Sequence, residues 1–226
     1  DLPDFAREPS VALDWTRAMP RARFDEDMAR IRTAIADGEV YQVNYTAALQ
    51  GRFDGEPFDL FCALRRAQPH GQCLYVANNL EAVLSVSPEL FFDWQGDALN
   101  CRPMKGTAAR GLTPEGDLRH RDQLARSEKE RAENVMIVDL LRNDMSRIAM
   151  PGSVQVPRLF DCEAWPTVWQ MTSSIAALTR PGTRLVDVFE ALFPCGSVTG
   201  APKLRAMHWI RELEPQPRGV YCGAAG

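Results

Sequence analysis

Apolar residues at Phe24, Met28, Ile31 and Ile35 recur at helical spacing, and Gly38 follows where a helix end favours glycine, so the pattern predicts a first helix after a proline-containing lead. Residues 40–49 read as a strand, 58–67 as a helix, and 73–86 as two strands joined at Asn78-Asn79. Segments 90–94 and 99–102 flank Gln95-Gly96-Asp97, a composition suited to a tight turn. Thr113-Pro114 reads as a cap with proline at the first helical position, and Ser127-x-x-Glu130 as a capping box opening a helix that runs to about Ile148. Residues 154–156 and 168–177 read as strands, 185–193 as a helix, and 202–212 as a helix entered through a Gly-Ser-Val-Thr-Gly loop. Strands come in hairpins and do not alternate strictly with helices. The expected fold class is therefore α+β, an antiparallel sheet sandwich with helices packed outside, and not a doubly wound sheet.

With 226 residues, 45% hydrophobic and 25% charged, the chain can bury a substantial core. A formal net charge of -4 argues against nucleic acid or an anionic membrane as the main partner, so an anionic ligand has to be held by local groups. The six cysteines (Cys62, Cys73, Cys101, Cys162, Cys195, Cys222) show no CxxC pair and no metal-ligand spacing, and read as reduced and cytoplasmic. No apolar run approaches the roughly 18 residues of a membrane span. The start lacks a signal-peptide core and an initiator Met, and 218–226 reads as a strand without a partner, so both ends read as internal to a longer chain: a lead-in over 1–23 and a domain over 24–226 that is incomplete at its C-terminus.

Three segments can carry chemistry. Lys105 lies in Arg102-Pro-Met-Lys-Gly-Thr107, just after a strand; it is either a solvated turn lysine or, if desolvated, a nucleophile. Glu133 precedes Ile137 by one helical turn and is expected on the apolar side, where a carboxylate must be paired, protonated or bound to a cation; Glu89, in Ser87-Pro-Glu-Leu90, is the other candidate carboxylate. Gly196-Ser-Val-Thr-Gly-Ala-Pro-Lys203 feeds a helix N-terminus, which suits a carboxylate or phosphate or is a plain cap; its order of Gly, Lys and Ser/Thr is not that of a Walker loop. The residues alone point to an enzyme for a small anionic substrate, with magnesium as a candidate cofactor.

Taken together and in order, Gly38-Glu-Val-Tyr-Gln-Val-Asn-Tyr-Thr46, Ser87-Pro-Glu-Leu90, Pro103-Met-Lys-Gly-Thr107, Arg131-Ala-Glu-Asn-Val-Met-Ile-Val-Asp-Leu-Leu-Arg-Asn-Asp144, Gly196-Ser-Val-Thr-Gly-Ala-Pro-Lys203 and Arg218-Gly-Val-Tyr-Cys-Gly223 resemble the chorismate-binding enzymes, a family that includes anthranilate, aminodeoxychorismate, isochorismate and salicylate synthases. The match runs from about Phe24 to Gly226. Members that add water carry a lysine base where this chain has Gln42, and anthranilate synthases usually carry alanine where it has Lys105, so the resemblance implies amination of chorismate at C4, toward p-aminobenzoate and folate. It further implies that Lys105 attacks ring carbon C2, that Glu89 is the general acid/base, and that Glu133 is a ligand of Mg2+. Thr107, Gly196 and Ser197 would donate to substrate carboxylates, Tyr221 and Lys203 would position the ligand, and ammonia would come from a glutamine amidotransferase subunit or fused domain.

Departures accompany the resemblance. Gln170 stands where relatives often have histidine; an amide hydrogen-bonds but does not titrate, which shifts proton handling to Glu89. Cys195 replaces a glycine, and the sequence stops before a later metal-binding glutamate and an arginine of the family. Two other readings remain beside this one: a C2-aminating enzyme of the anthranilate type, and a noncatalytic ligand-binding paralogue.

Overall fold

The computed structural model describes residues 15–225, so the first 14 residues of the expected lead-in, and Gly226, lie outside the described residues. In chain order the elements are β1 (Thr16–Arg17), α1 (Arg21–Ala36), β2 (Gln42–Val43), β3 (Leu49–Gln50), α2 (Pro57–Ala67), β4 (Gln72–Ala77), β5 (Ala82–Ser87), β6 (Leu90–Gln95), β7 (Ala98–Arg102), β8 (Met104–Ala109), α3 (Pro114–Arg126), α4 (Glu128–Ser146), β9 (Gln155–Ala164), β10 (Val168–Leu178), α5 (Leu185–Leu192), α6 (Gly196–Thr199), β11 (Gly200–Ala201) and α7 (Lys203–Leu213). All strand pairing among them is antiparallel, and the class is α+β.

Local chemistry places most boundaries. Gly38 ends α1 at φ 74°, a backbone conformation that favours glycine, and Asn78 Oδ1 accepts from the N–H groups of Leu80 and Glu81 to turn β4 into β5. Thr113 caps α3 by accepting from Gly116 N at 3.1 Å, with Pro114 at the first helical position. Only half of the expected capping box forms at Ser127. Its hydroxyl accepts from Glu130 N, but its own N–H goes to Leu124 O, the end of α3, and Glu130 turns to Lys129 instead of reaching back.

The main sheet is built around β10. β7 and β8 lie end to end along one edge of it, separated by Pro103, which has no N–H to give to the ladder, and β9 takes the other edge. Onto this sheet α4 lays Ile137, Val138, Leu141 and Met145, which meet Leu99, Cys101 and Ile175 of the strands and Val188, Ala191 and Leu192 of α5 in one core cluster. All six cysteines are free thiols. Among the described residues no helix is long and apolar enough to cross a membrane.

Three expectations are corrected. Residues 40–49 are not one strand: β2 pairs with β11 and β3 with β1, and between them Asn44 and Thr46 give their N–H groups to Thr199 O and to the Glu214 carboxylate. The short strand expected at 154–156 runs to Ala164. Its alternation is obscured because Leu159 and Phe160 together face Ser173, and Phe160 takes φ 65° at this bulge. Residues 218–223 form successive turns and no strand, since Arg218 is drawn inward by Glu214 and the backbone bonds locally, Tyr221 N to Arg218 O and Gly223 N to Val220 O.

Leu141 is 2% exposed at the centre of this core. Leu141→Ala should therefore cost about 2–5 kcal/mol through lost transfer energy and a cavity, read as a lower denaturation midpoint at unchanged m-value.

Candidate active site

Lys105 lies within β8 and not in a turn beyond a strand. Thr107 pairs with Gln170 and Met104 with Thr172, so the single residue Met171 of β10 faces both Lys105 and Gly106. This is a β-bulge, and Gly106 occupies it at φ 100°. A Cβ there would sit 3.1 Å from Met171 Cβ and 3.2 Å from Glu130 Cβ, so both backbone angle and space favour glycine.

The half-buried Lys105 side chain reaches α6, where Nζ donates to Ser197 O at 3.2 Å. Glu89 enters from the β5–β6 turn, where Ser87 Oγ accepts from Glu89 N, and its Oε1 accepts from Met104 N at 3.3 Å. Burial pushes the Glu89 carboxyl above the usual carboxylate range, against the opposing pull of the Ser197 hydroxyl, the Met104 N–H and the Lys105 ammonium. Ser197, itself buried, thus serves both groups: its carbonyl holds the lysine and its hydroxyl bonds the carboxylate. Cys195 Sγ lies 3.0 Å from the same hydroxyl, and burial, followed by the Glu89 charge, raises the thiol pKa, which keeps it protonated. An amine, a carboxyl of raised pKa and a hydroxyl therefore converge, a set able to combine nucleophilic attack with proton transfer.

Glu133 is not on the buried face of α4. Its side chain is 40% exposed on the flank, 3.4 Å from Lys129 Nζ, and the neighbouring Asn134 is the residue that points inward. Glu130 Oε1 meets the same lysine at 3.2 Å, and Lys129 is 76% exposed. No group of three His, Cys, Asp or Glu side chains converges among the described residues. A lysine held at the surface is a weak partner, and magnesium is commonly bound through one or two carboxylates while keeping water and substrate oxygens, so the Glu130 and Glu133 donor set fits that ion.

Thr107 and Gln170 are brought together: Thr107 Oγ1 donates to Gln170 Oε1 at 2.9 Å, and Gln170 Nε2 donates to Gly106 O at 3.0 Å. Beside them Trp169 donates to Asp117, whose carboxyl Arg110 holds below the usual range. Gln42 lies in β2 opposite Ala201, and its Oε1 is buried without a hydrogen-bond partner. The expected loop at 196–200 is the short helix α6 followed by β11. A Cβ on Gly196 would meet Leu140, and one on Gly200 would stand 2.1 Å from Gln42 O. Lys203 turns inward, donating to Asp144 Oδ2 at 2.5 Å and to Leu192 O at 3.1 Å. Tyr221 is 59% exposed on a cleft of about 510 Å³ that it shares with Phe193, Val198 and Arg218.

Reading the sequence missed Asp144, Ser173, Glu130 and Asn134 as site residues. Asn134 did carry a signal: it is the one amide in phase with Ile137, Val138 and Leu141 on the apolar stripe of α4.

The chorismate binding enzyme family matches residues 2–226 of the chain. The chain is 41% identical to aminodeoxychorismate synthase component 1 of Salmonella typhimurium, over 94% of its own length and 47% of that protein. It is 39% identical to anthranilate synthase component 1 of Streptomyces coelicolor, over 94% of its own length and 42% of that protein. The crystal structure of anthranilate synthase component I from Streptococcus pneumoniae superposes with a TM-score of 0.87 at 31% identity, covering 95% of this chain and 47% of that one. The chain thus spans about half the length of the relatives it matches.

The position of Glu89 predicts a pH dependence. A carboxyl whose folded pKa is raised contributes stability that is present below its unfolded pKa and lost as pH rises through the folded value. Glu89→Gln should therefore melt above wild type at pH 7–8, with the difference shrinking as pH falls toward about 4; thermal unfolding across that range reads it, and a constant difference would show that Glu89 is not raised.

Proposed function

The chain belongs to the chorismate-binding enzymes, and on that premise we propose that the protein aminates chorismate at C4, giving 4-amino-4-deoxychorismate, with Lys105 as nucleophile. The observation that carries this reading is the presentation of Lys105 beside Glu89 and Ser197. A lysine in that place offers a covalent route that a small residue there could not.

In the proposed reaction the Lys105 amine bonds to ring carbon C2, the two ring double bonds shift, and the C4–O bond breaks with a proton from Glu89, releasing water. Ammonia then bonds to C4, the double bonds shift back, and the C2–N bond to Lys105 breaks. Burial, which raises the pKa of Glu89, favours the protonated form that the first displacement needs. Thr107 and Gly196, with Ser197, are assigned to the substrate carboxylates, and Gln170, fixed by Thr107 and Gly106, to the side of the departing hydroxyl. Lys203 is committed to Asp144, while Tyr221 lies on the neighbouring cleft with Val198 and Arg218, and Gln42 pairs with Ala201 beyond α6 in the chain; both are assigned to the substrate. Glu133, with Glu130 beside it, would hold Mg2+, which supplies charge neutralisation at the ring carboxylate.

Ammonia is assigned to a glutamine amidotransferase, as a partner subunit or fused domain. The name "component 1" of the Salmonella relative supports a second component, and ammonium predominates at neutral pH, so delivery from a docked source raises the effective concentration of the neutral amine. Six free thiols support a reducing, cytoplasmic setting.

Lys105→Ala in the full-length protein, assayed with chorismate, ammonium and magnesium, should lose most 4-amino-4-deoxychorismate and yield anthranilate at the C2 position left open. Undiminished C4 amination would refute the covalent route, and anthranilate from the wild type would favour the C2-aminating reading. Glu133→Gln keeps the side-chain shape but removes its charge, so the magnesium concentration for half-maximal activity should rise while the melting temperature stays near wild type; equal half-saturation would move the ligand elsewhere.

A further inference from the structure

We propose that Asn134 is the positioning residue for the nucleophile, acting on Lys105 through its main-chain carbonyl; the inference rests on the reading of Lys105 given above. The bulge takes the Lys105–Gly106 peptide out of register with β10, and the Lys105 carbonyl instead accepts from Asn134 Nδ2 at 3.2 Å. The orientation of that peptide sets the direction of the Lys105 Cα–Cβ bond, and hence where a side chain anchored at Ser197 O can reach.

Asn134 is itself held from its other end. Ser173 Oγ accepts from Phe160 N at 3.2 Å, so its hydrogen is free to donate, and it does so to Asn134 Oδ1 at 2.5 Å. With Oδ1 occupied as acceptor, Nδ2 must face the Lys105 carbonyl, so the network determines the amide orientation. Ser173 also gives its N–H to Pro103 O at 3.2 Å, two residues before Lys105. Asn134 is 1% exposed and Ser173 1%, so water does not compete for these bonds. The relay joins α4, β8, β9 and β10 at two of the places where the ladder of β10 is interrupted, opposite Met171 and Ser173. Because Asn134 follows Glu133 on α4, the helix that carries the candidate cation ligand also sets the nucleophile.

The test uses the full-length protein. Asn134→Asp keeps the size and the acceptor toward Ser173 but replaces the donor toward Lys105 with an oxygen. The expected result is a fall in kcat for C4 amination of ~10- to 100-fold, from a displaced nucleophile, with KM for chorismate unchanged. Intact-mass measurement without ammonia should show the chorismate adduct (chorismate less water) forming more slowly by the same factor. Ser173→Ala leaves the donor but frees the amide, and should give an intermediate loss; it decides the matter if Asn134→Asp does not fold. Wild-type kcat in either folded variant overturns the inference, as does a loss in which KM rises and the melting temperature falls together with kcat, the signature of a merely structural role. Lys105→Ala in the same assay separates the two levels: an active Lys105→Ala overturns both the nucleophile and its positioning, whereas an inactive one beside a wild-type Asn134→Asp overturns the positioning alone.

Discussion

On the central strand β10, Met171 faces two residues of β8 and Ser173 faces two of β9. A bulge leaves backbone groups out of the ladder, and buried backbone groups must be satisfied some other way. That constraint organises the site. Gly106 provides the backbone angle, Pro103 withdraws a donor at the junction of β7 and β8, and the buried side chains of Asn134 and Ser173 take over the bonding that regular pairing would have provided. Lys105 is in consequence a strand residue whose side chain leaves the sheet toward α6, in a place where a regular strand would have offered only alternation between two faces.

The second half of the site is as dependent on distant groups. The carbonyl and hydroxyl of Ser197 belong to a four-residue helix that could not persist alone, and the segment is held by a mostly shielded ion pair, Arg218–Glu214, whose side chains are 15% and 6% exposed. Arg218 donates to Val198 O and Asn44 O as well as to Glu214, and Glu214 accepts from Thr46 N and Oγ1. Buried charges stabilise only when their remaining hydrogen bonds are met, and here the partners are main-chain groups of the segments around the site. The same desolvation that the fold tolerates at Glu89 raises the pKa of that carboxyl, so a cost in stability and a bias toward the protonated form have one origin.

Much of the architecture could be read directly from the chain. Helix α1 with its Gly38 end, the Asn78 turn, the Gly96 turn and the Thr113-Pro114 cap are each specified by residues within a few positions of one another, and so are the phases of α4 and α7. The ordered motifs identified the family. What was misread lay where pattern and contact part company. β9 looked short because its bulge breaks the period, 218–226 looked like a strand though its described residues turn and pair with no strand, and Glu133 looked buried because helical phase places a residue on a stripe without saying how wide the covered stripe is.

The sequence by itself determined most of the elements, the class and which residues are candidates for the site, since each depends on side-chain type and local spacing. Only the tertiary structure decided what those groups touch: Lys105 meets Ser197 across 92 residues, Asn134 meets Lys105 across 29, and Lys203 is claimed by Asp144 across 59. Such bonds depend on how strands shift register and which helix flank is covered, and both are settled by packing that no single segment encodes.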